Sequence, residues 1–465
     1  MSINALLGIG LKSMQTSQAG LQVTGHNVAN AQVTGYTRQR LETQASAPQQ
    51  FAGPYVGRGV EIITVRRVYE EALGMELSRT GADASAAEVR MTWMQRLEQA
   101  LPPGEDGLAH AVDRFLGAWS DLAGRPDDAV LRQLVIQQGQ AVADRFNTTV
   151  EEVDRLQQGM VSELAMVLEQ ANRLAAQVAE ANAAVMRHPG GPQSANDLLD
   201  RRDRLVDELA KLVGGQTLDG DDGTVSVLVP SGLALVQGRT AHTLEMKAPQ
   251  ATGELATLSM TLAGRPHTLD PYSGLGGSIG GLMSVQSREW SDSRNAIASL
   301  IGGFLEGFNA QHRQGFSQAG PPPVAGADFF VFDAITARTQ VRTDMQSRDI
   351  AAMSIEGIVT SPNGNAVKLA RLDEEGNGGG NGSFVAAYAS MIASLGLQVQ
   401  QARAASGLAT ARQAQAKELH QSVSGVNLDE EAARLMQYQQ SYQAAARVLQ
   451  AAQTVMDTLL QTVGR

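Results

Sequence analysis

The sequence predicts a mainly α-helical protein with one inserted β domain, and three observations lead to this fold class. Apolar residues recur at alternating spacings of four and three along 127–186, which is typical of a long helix with a coiled-coil-type stripe. Both chain ends show the same spacing, so each end is expected to form an amphipathic helix. Residues 214–275 are instead rich in Gly, Asp, Pro and Thr around short apolar runs, which favours strands and turns.

These patterns divide the chain into three expected domains. Residues 1–35 and 424–465 would form a terminal assembly domain, in which the N- and C-terminal helices make a coiled-coil-like core. Residues 36–213 and 279–423 would form a rod-like second domain, a long helical bundle with some β structure. Residues 214–278 would form a small outer β domain.

The remaining elements follow from local composition. Residues 37–70 are expected to be extended, because Val60–Val65 is rich in β-branched residues. Further elements are predicted as helices near 84–101, 108–123, 196–213, 279–308 and 383–421, a strand at 329–332 and a flexible link at 376–382.

Composition excludes several classes of function. The 465 residues include 43% hydrophobic and 18% charged residues, as in ordinary folded proteins. The net charge of −11 disfavours nucleic acid as a partner, and the absence of Cys excludes disulfides and thiol chemistry. The segment Asp219–Gly223 lacks calcium-loop spacing, and Gly274–Gly281 fails the dinucleotide pattern. The sequence therefore predicts neither an enzyme nor a bound cofactor or metal, and no apolar run is long enough for a membrane span.

The apolar stripes of the two end helices are the main candidate site. A helix with one exposed stripe is poorly stabilised alone, so the stripes are expected to be shared between the two ends or among neighbouring subunits. The stripe residues are Leu7, Leu11, Met14, Leu21 and Val28 at the N-terminus, and Leu428, Leu435, Tyr442, Leu449, Met456 and Val463 at the C-terminus. In the C-terminal stripe, Tyr438, Ala445, Ala452 and Leu459 fill the matching +3 positions.

A second set of candidate residues lies at the turns beside these helices. Asn27 and Asn30 are expected to close the first helix, with bonds to a neighbouring subunit as the alternative. Gly35 is predicted to have a positive φ, and Tyr36 to anchor the turn against a helix. Asn427 is predicted to cap the last helix.

Short motifs at both ends resemble flagellar rod, hook and hook-associated proteins. The segments that resemble the start and the end of these proteins are Ser2–Leu11, Leu21–Asn30, Thr34–Arg38, Ser424–Ala432, Tyr438–Tyr442 and Asp457–Leu460. Two internal segments, Asn196–Leu205 and Phe308–His312, resemble the hook-associated members rather than hook or rod proteins. One departure is Gln32–Val33, where rod and hook relatives often have Asn-Thr.

The resemblance implies a structural role at the junction between hook and filament. The terminal helices would form an inner tube when subunits stack. The implied partners are further copies of the chain in a ring or helical turn, the hook protein, a second junction protein towards the filament, and an export chaperone on the C-terminal helix. Neither nucleic acid nor a membrane is implied. The protein would lie outside the cell in the flagellum, exported by the type III apparatus without a cleaved signal peptide.

Three alternatives remain open at this stage. The chain could be another axial protein of the hook or rod. It could be a cell-wall hydrolase carried on an axial scaffold, although no carboxylate pair stands out. It could also be a coiled-coil adhesin or membrane-surface binder, which the acidic charge disfavours.

Overall fold

A computed structural model describes residues 3–50, 55–187, 192–220, 222–251, 253–320, 322–356, 359–374, 376 and 382–463. The protein is 64% helical, which confirms the mainly α prediction. A π-helical turn, Gln286–Trp290, joins the helix Gly277–Val285 to the helix Ser291–Gln314. The α-helices are α1 (Ile3–Asn30), α2 (Glu71–Gln99), α3 (Leu108–Gly124), α4 (Ala129–Arg187), α5 (Pro192–Val213), α6 (Gly277–Val285), α7 (Ser291–Gln314), α8 (Gly364–Ala370), α9 (Phe384–Ser424) and α10 (Leu428–Val463).

The strands form small sheets, most of them hairpins. The strands are β1 (Gln39–Ala45), β2 (Gln49–Gln50), β3 (Tyr55–Val56), β4 (Val60–Arg67), β5 (Gln216–Asp219), β6 (Val225–Leu228), β7 (Ala234–Gln237), β8 (Thr240–Ala241), β9 (Thr243–Lys247), β10 (Thr257–Leu262), β11 (Arg265–Leu269), β12 (Phe316–Ser317), β13 (Val324–Ala325), β14 (Phe330–Asp333), β15 (Arg338–Val341), β16 (Ser354–Glu356) and β17 (Val359–Ser361). Strand order in the larger sheets is β5-β6-β7-β8 and β11-β10-β9, and the two-stranded sheets are β1-β4, β2-β3, β12-β13, β14-β15 and β16-β17.

The chain divides into two compact units. Unit 1 comprises Met1–Asp83, Ala171–Thr243 and Ala409–Arg465, and unit 2 comprises Ala84–Gln170 and Leu244–Leu408. The sheet β5–β8 belongs to unit 1, and strands β10 and β11 belong to unit 2. The division into three domains made from the sequence stays a prediction.

The long helix α4 confirms the prediction made from its apolar stripe. Asp128 caps its start, because the carboxylate accepts hydrogen bonds from the backbone N–H of Val130 (2.9 Å) and Leu131 (3.3 Å). Most of the stripe is buried, for example at Phe146 and Val178, which are both fully covered, while Val167, Ala181 and Val185 are half-buried. Burial of this stripe, more than intrinsic propensity, stabilises so long a helix.

The start of α2 contradicts the sequence prediction. A helix was expected near residue 84, but α2 begins at Glu71. Its first turns contain Gly74 and Gly81, which are poor helix formers, and lack an apolar stripe. Tertiary packing makes this part helical, since Thr80 and Ala82 are almost fully buried. Similarly, the expected link at 376–382 lies largely outside the described residues.

An aromatic cluster forms the core of unit 2. The ring of Phe115 on α3 lies 4.9 Å from that of Phe308 on α7 and 5.6 Å from that of Phe329, centroid to centroid. Trp119 packs against Phe308 at 5.7 Å. Offset and edge-to-face contacts of this kind add to the free energy gained by burying apolar surface. The predicted strand at 329–332 is observed one residue later, as β14.

The motif Phe308–His312 fixes the loops that close this core. The side-chain oxygen of Asn309 accepts hydrogen bonds from the backbone N–H groups of Phe329 (2.9 Å) and Phe330 (3.0 Å). His312 is fully buried, and its Nε2 accepts a hydrogen bond from the backbone N–H of Ala351 (3.1 Å). Its Nδ1 lies 2.6 Å from the carbonyl oxygen of Ala327, so Nδ1 carries the proton. The motif is therefore structural.

Candidate assembly site at the paired chain ends

Helices α1 and α10 pack against each other in antiparallel directions. Gly10 lies against Leu449, whereas Gly20, further along α1, lies against Tyr438, earlier on α10. A Cβ atom on Gly20 would stand only 2.5 Å from Cε1 of Tyr438. On α10, Ala445 is 4% exposed at the same interface. Small residues thus let the two backbones approach closely, and larger partner side chains fill the space between them.

Replacing Gly20 by Ala is expected to weaken the α1–α10 pair by about 1–3 kcal/mol, because the added methyl group overlaps the Tyr438 ring. Gly25→Ala is the matched control, since a Cβ atom there meets nothing within 4 Å on the same helix. Hydrogen exchange of 428–463 measures the effect. Equal protection in both variants would show that close approach at Gly20 is unimportant.

The predicted stripe of α1 does not face α10. Leu11 and Val28 are 48% and 42% exposed, and Leu7, Met14 and Leu21 are partly exposed. Most of the buried residues of α1 stand one position before the four–three series 11, 18, 21, 25 and 28, which turns them about 100° around the helix axis. These residues are Gly10, Ser17, Gly20, Thr24 and Asn27, all of them small or polar, so they gave no apolar signal; Val23 is buried as well.

The predicted stripe of α10 is also largely uncovered. Leu428, Leu435, Tyr442 and Met456 are between 36% and 53% exposed, whereas Leu449 lies against Gly10 of α1. The side chain of Val463 lies outside the described residues. The row of α10 that faces α1 consists of Tyr438, Ala445 and Ala452, which were predicted in the +3 positions of the stripe, and of Glu431 seven residues before Tyr438.

Asn27 joins three segments of the chain at the C-terminal end of α1. Its side-chain oxygen accepts hydrogen bonds from the Tyr36 hydroxyl (2.7 Å) and the Gln39 N–H (2.9 Å). Its amide nitrogen donates to the Gln39 carbonyl (2.8 Å) and to the Glu431 carboxylate (3.0 Å). These four bonds use the full capacity of a buried Asn side chain. Asn27 thus has a complete set of partners within its own chain.

Glu431 on α10 is a buried carboxylate at the same place. It is 1% exposed and accepts hydrogen bonds from Asn27 and from Nε of Arg38 (2.8 Å). Arg38 also donates to Glu430 (2.7 Å), and its backbone N–H donates to the carbonyl of Ser424. We call the residues Asn27, Tyr36, Arg38, Gln39 and Glu431 the polar junction. It fixes the start of α10 to the end of α1.

The turn that supplies Tyr36 has the geometry predicted from its residues. Gly35 has a φ of +74°, and a Cβ atom there would overlap the side chain of Arg204. The Tyr36 hydroxyl donates to Asn27, and its ring lies edge-on to His26 at 5.6 Å. Burial raises the pKa of Tyr36, and the nearby carboxylates Asp200, Asp197 and Glu431 raise it further. Tyr36 therefore stays a neutral donor.

The motif at the start of α5 meets the same turn. A carboxylate oxygen of Asp200 accepts a hydrogen bond from the Thr37 N–H (3.1 Å), and its other oxygen pairs with Arg67 (2.8 Å). Asn196 donates to the carbonyl of Val65 on β4 (3.0 Å). Asp197 accepts a hydrogen bond from the side-chain amide of Gln39 (3.1 Å). The motif on α5 thus meets the motifs at the end of α1 and the start of α10 at one place in unit 1.

The two remaining predicted residues have local roles. Asn427 caps α10, because its side-chain oxygen accepts a hydrogen bond from the N–H of Asp429 (3.0 Å). The amide of Asn30 donates to the carbonyl of His26 one turn earlier (2.9 Å). Whether Asn30 also bonds a neighbouring subunit stays a prediction.

Sequence reasoning missed the charged members of the polar junction, Glu431 and Arg38, and the nearby Asp200. Glu431, Arg38 and Asp200 lie inside the quoted motifs but carry no apolar periodicity. An acidic residue in the first turn of a helix stabilises that helix without any other partner, so Glu431 did not suggest a distant one. The sequence did offer a signal for Arg38, because it is one of the few charged residues among the first forty.

The described residues offer little for metal chemistry or membrane insertion. Within them, no group of three or more His, Asp or Glu side chains is arranged to hold a metal ion. None of the helices in that part of the chain is long and apolar enough to cross a membrane. The arrangement instead presents two helices that are fixed to each other and keep apolar stripes on their outer sides.

Curated relatives extend over nearly the whole chain. The flagellar hook-associated protein 1 of Escherichia coli K12 is 25% identical over 98% of this chain and 100% of its own length. The proteins of the same description from Salmonella typhimurium and Bacillus subtilis are 26% and 25% identical, covering 98% and 97% of this chain and 100% and 97% of theirs. The solved structure of the flagellar hook junction protein FlgK from Burkholderia pseudomallei has a TM-score of 0.65 at 16% identity, covering 75% of this chain and all of that one, and confirms the fold.

Two family models match separate parts of the chain. Residues 420–462, which include α10, match the flagellar basal body rod FlgEFG protein C-terminal family. Residues 94–330, just over half of the chain, match the helical domain of the flagellar hook-associated protein FlgK. The chain therefore belongs to the flagellar hook-associated protein FlgK family.

Proposed function

We propose that the chain joins hook to filament by packing the apolar stripes of α1 and α10 against neighbouring subunits. As a member of its family the chain is a structural component of the flagellar hook–filament junction and contacts other axial proteins. The observation that carries the proposal is that the stripes stay exposed after α1 and α10 have paired. Leu11, Leu428 and Met456 are 48%, 53% and 38% exposed.

Burial of these side chains supplies the free energy for assembly. Each Leu, Val or Met side chain that moves from water into an interface contributes up to roughly 1.5–3 kcal/mol, less the part already covered. Contiguous apolar surface of this kind is rare on soluble monomers and marks interaction sites. Association is opposed by lost translational and rotational freedom, so several stripe residues must be buried together.

The partners of the two stripes follow from this role. Copies of the chain would form a ring or one helical turn, with the hook protein on one side and a second junction protein on the filament side. Beyond Ala452, every described side chain of α10 is exposed. An export chaperone could therefore bind this part of the helix before assembly. We further propose that the chain acts outside the cell, is exported without a cleaved signal peptide, and has no catalytic activity.

Deleting Leu449–Arg465 tests the proposed function. This deletion removes the Leu449–Gly10 contact and the end of the α10 stripe, so the chain should be absent from isolated hook–filament structures. Trp93, Trp119 and Trp290 all lie in unit 2, so their fluorescence reports whether that unit remains folded.

Point substitutions give a sharper test than the deletion. Leu428→Ser combined with Leu435→Ser removes two stripe residues without shortening the chain. Leu218→Ser is the matched control, because Leu218 on β5 is 55% exposed but lies outside the stripes. Normal incorporation of the Leu428/Leu435 variant would contradict the proposal.

A further inference from the structure

The antiparallel ribbon of β1 and β4 lies beside α1 and has an unusual outer surface. Gly59, next to β4, packs against the backbone of Ile9, and the Lys12 ammonium bonds both Ser46 (3.0 Å) and Glu61 (2.6 Å). The ribbon is therefore anchored to one side of α1. Among the described residues the sheet has two strands only, and such ribbons need further packing to be stable.

Two adjacent isoleucines on β4 are exposed to solvent. The register passes from the pair Glu42–Thr64 to the pair Thr43–Ile62, so Ile63 is an extra residue in a β-bulge. Ile62 is 43% exposed and Ile63 is 55% exposed. Bulges of this kind redirect side chains, and large apolar residues on an open strand usually mark a contact surface.

Two arginines lie on the same ribbon, at positions three to four residues along it from these isoleucines. Arg40 and Arg66 are directly opposite each other on neighbouring strands, and both are exposed. Like charges in opposite positions destabilise an antiparallel pair. Glu42 pairs with Arg66 through its Nε at 2.9 Å, which compensates one of the two charges. The surface formed by Arg40, Ile62, Ile63 and Arg66, which we call the ribbon patch, is thus apolar and basic.

The first turns of α10 have the complementary character. Leu428, Leu435 and Met436 are 53%, 37% and 57% exposed on sides of the helix that α1 leaves uncovered. Asp429 is exposed beside them, and it is the acidic residue of these turns that does not pair with Arg38. By contrast, residues 3–67 carry six Lys or Arg against two Glu in a chain of net charge −11.

We propose that the ribbon patch is a docking surface for the first turns of α10 from a second copy of the chain. Opposite charge and exposed apolar side chains on both surfaces make them complementary. The two surfaces are different parts of the same unit, so the contact is head-to-tail, and contacts of this type generate rings or helices. The inference rests on the proposed function, because it specifies which surface receives the α10 stripe of a neighbour.

Engineered cysteines test the contact, since the natural chain has none. In cells that carry only the double variant Ile63→Cys with Met436→Cys, oxidation should link chains into a ladder of dimers and larger species. The ladder should be visible in isolated hook–filament structures. Each single variant should remain monomeric. The matched control pairs Met436→Cys with Ile335→Cys, because Ile335 is 78% exposed but lies in the turn after β14.

The outcomes separate this inference from the proposed function. If the double-cysteine chain is incorporated but forms no ladder, or forms a disulfide only within one chain, the docking surface is refuted and the proposed function stands. If the cysteine-free chain is itself absent from the hook–filament structures, the docking surface and the proposed function are both refuted.

Charge reversal gives a second measurement. Arg40→Glu and Asp429→Arg should each lower incorporation several-fold, and the two together should restore it. Arg155→Glu, an exposed arginine on α4, should have no effect. Failure of the pair to restore incorporation would overturn the proposed pairing of these charges.

Discussion

Replacing Glu431 by Ala is expected to weaken the attachment of α10 to α1 and β1 by roughly 3 kcal/mol. The substitution removes the acceptor for Arg38 Nε and for the Asn27 amide at once. Asn27 is 1% exposed, so its freed donor cannot reach water, and an unpaired buried donor is costly. The Arg38 guanidinium keeps Glu430, which limits the loss.

Hydrogen exchange of the α10 amides measures this effect. A loss of roughly 3 kcal/mol corresponds to about a hundredfold faster exchange. Glu430→Ala is the matched control, because Glu430 pairs with the same Arg38 but its side chain is 55% exposed. An exposed ion pair contributes less than about 1 kcal/mol, so the control should change exchange by a few-fold at most. Equal effects of the two substitutions would refute a special role for the buried carboxylate.

The stability of unit 2 is expected to fall by about 3 kcal/mol between pH 6.5 and pH 4 because of His312. Burial lowers the pKa of this imidazole from 6.5 to about 4. In the folded chain the ring stays neutral in this window, whereas in the unfolded chain it binds a proton. Protons therefore favour the unfolded state as the pH falls from 6.5 to 4, and stability is lost in that direction.

Denaturant unfolding followed by tryptophan fluorescence checks this prediction, since the three Trp residues lie in unit 2. His312→Gln removes the titrating group and costs stability at neutral pH by losing the bonds to Ala327 and Ala351. The difference between wild type and this variant should shrink by about 3 kcal/mol from pH 6.5 to pH 4. His267→Gln, at an exposed position on β11, should leave the pH profile of wild type unchanged. A constant difference across this range would show that His312 does not set the profile.

The pattern of apolar residues was sufficient to predict the regular elements of the chain. The stripe of α4 predicted a helix over 127–186, and the structure has one over 129–187. The same reasoning predicted amphipathic helices at both ends and strands in 214–275. It failed for the first turns of α2, which contain two glycines and depend on burial by other elements. Periodicity is a local property, so it can be read directly where a helix has one covered side.

By itself the sequence determined that both chain ends are helices with one apolar stripe and that their motifs belong to axial proteins. Only the tertiary structure decided which side of α1 meets α10, and it is the side of Gly10, Ser17 and Gly20, not the stripe. It also brought Asn27, Arg38 and Glu431 together across some four hundred residues of sequence. The physical reason is that two helices can pack closely only where their residues are small, and that a buried polar group needs a hydrogen-bond partner of matching geometry. Neither requirement produces an apolar repeat, so both become visible only when the chain is folded.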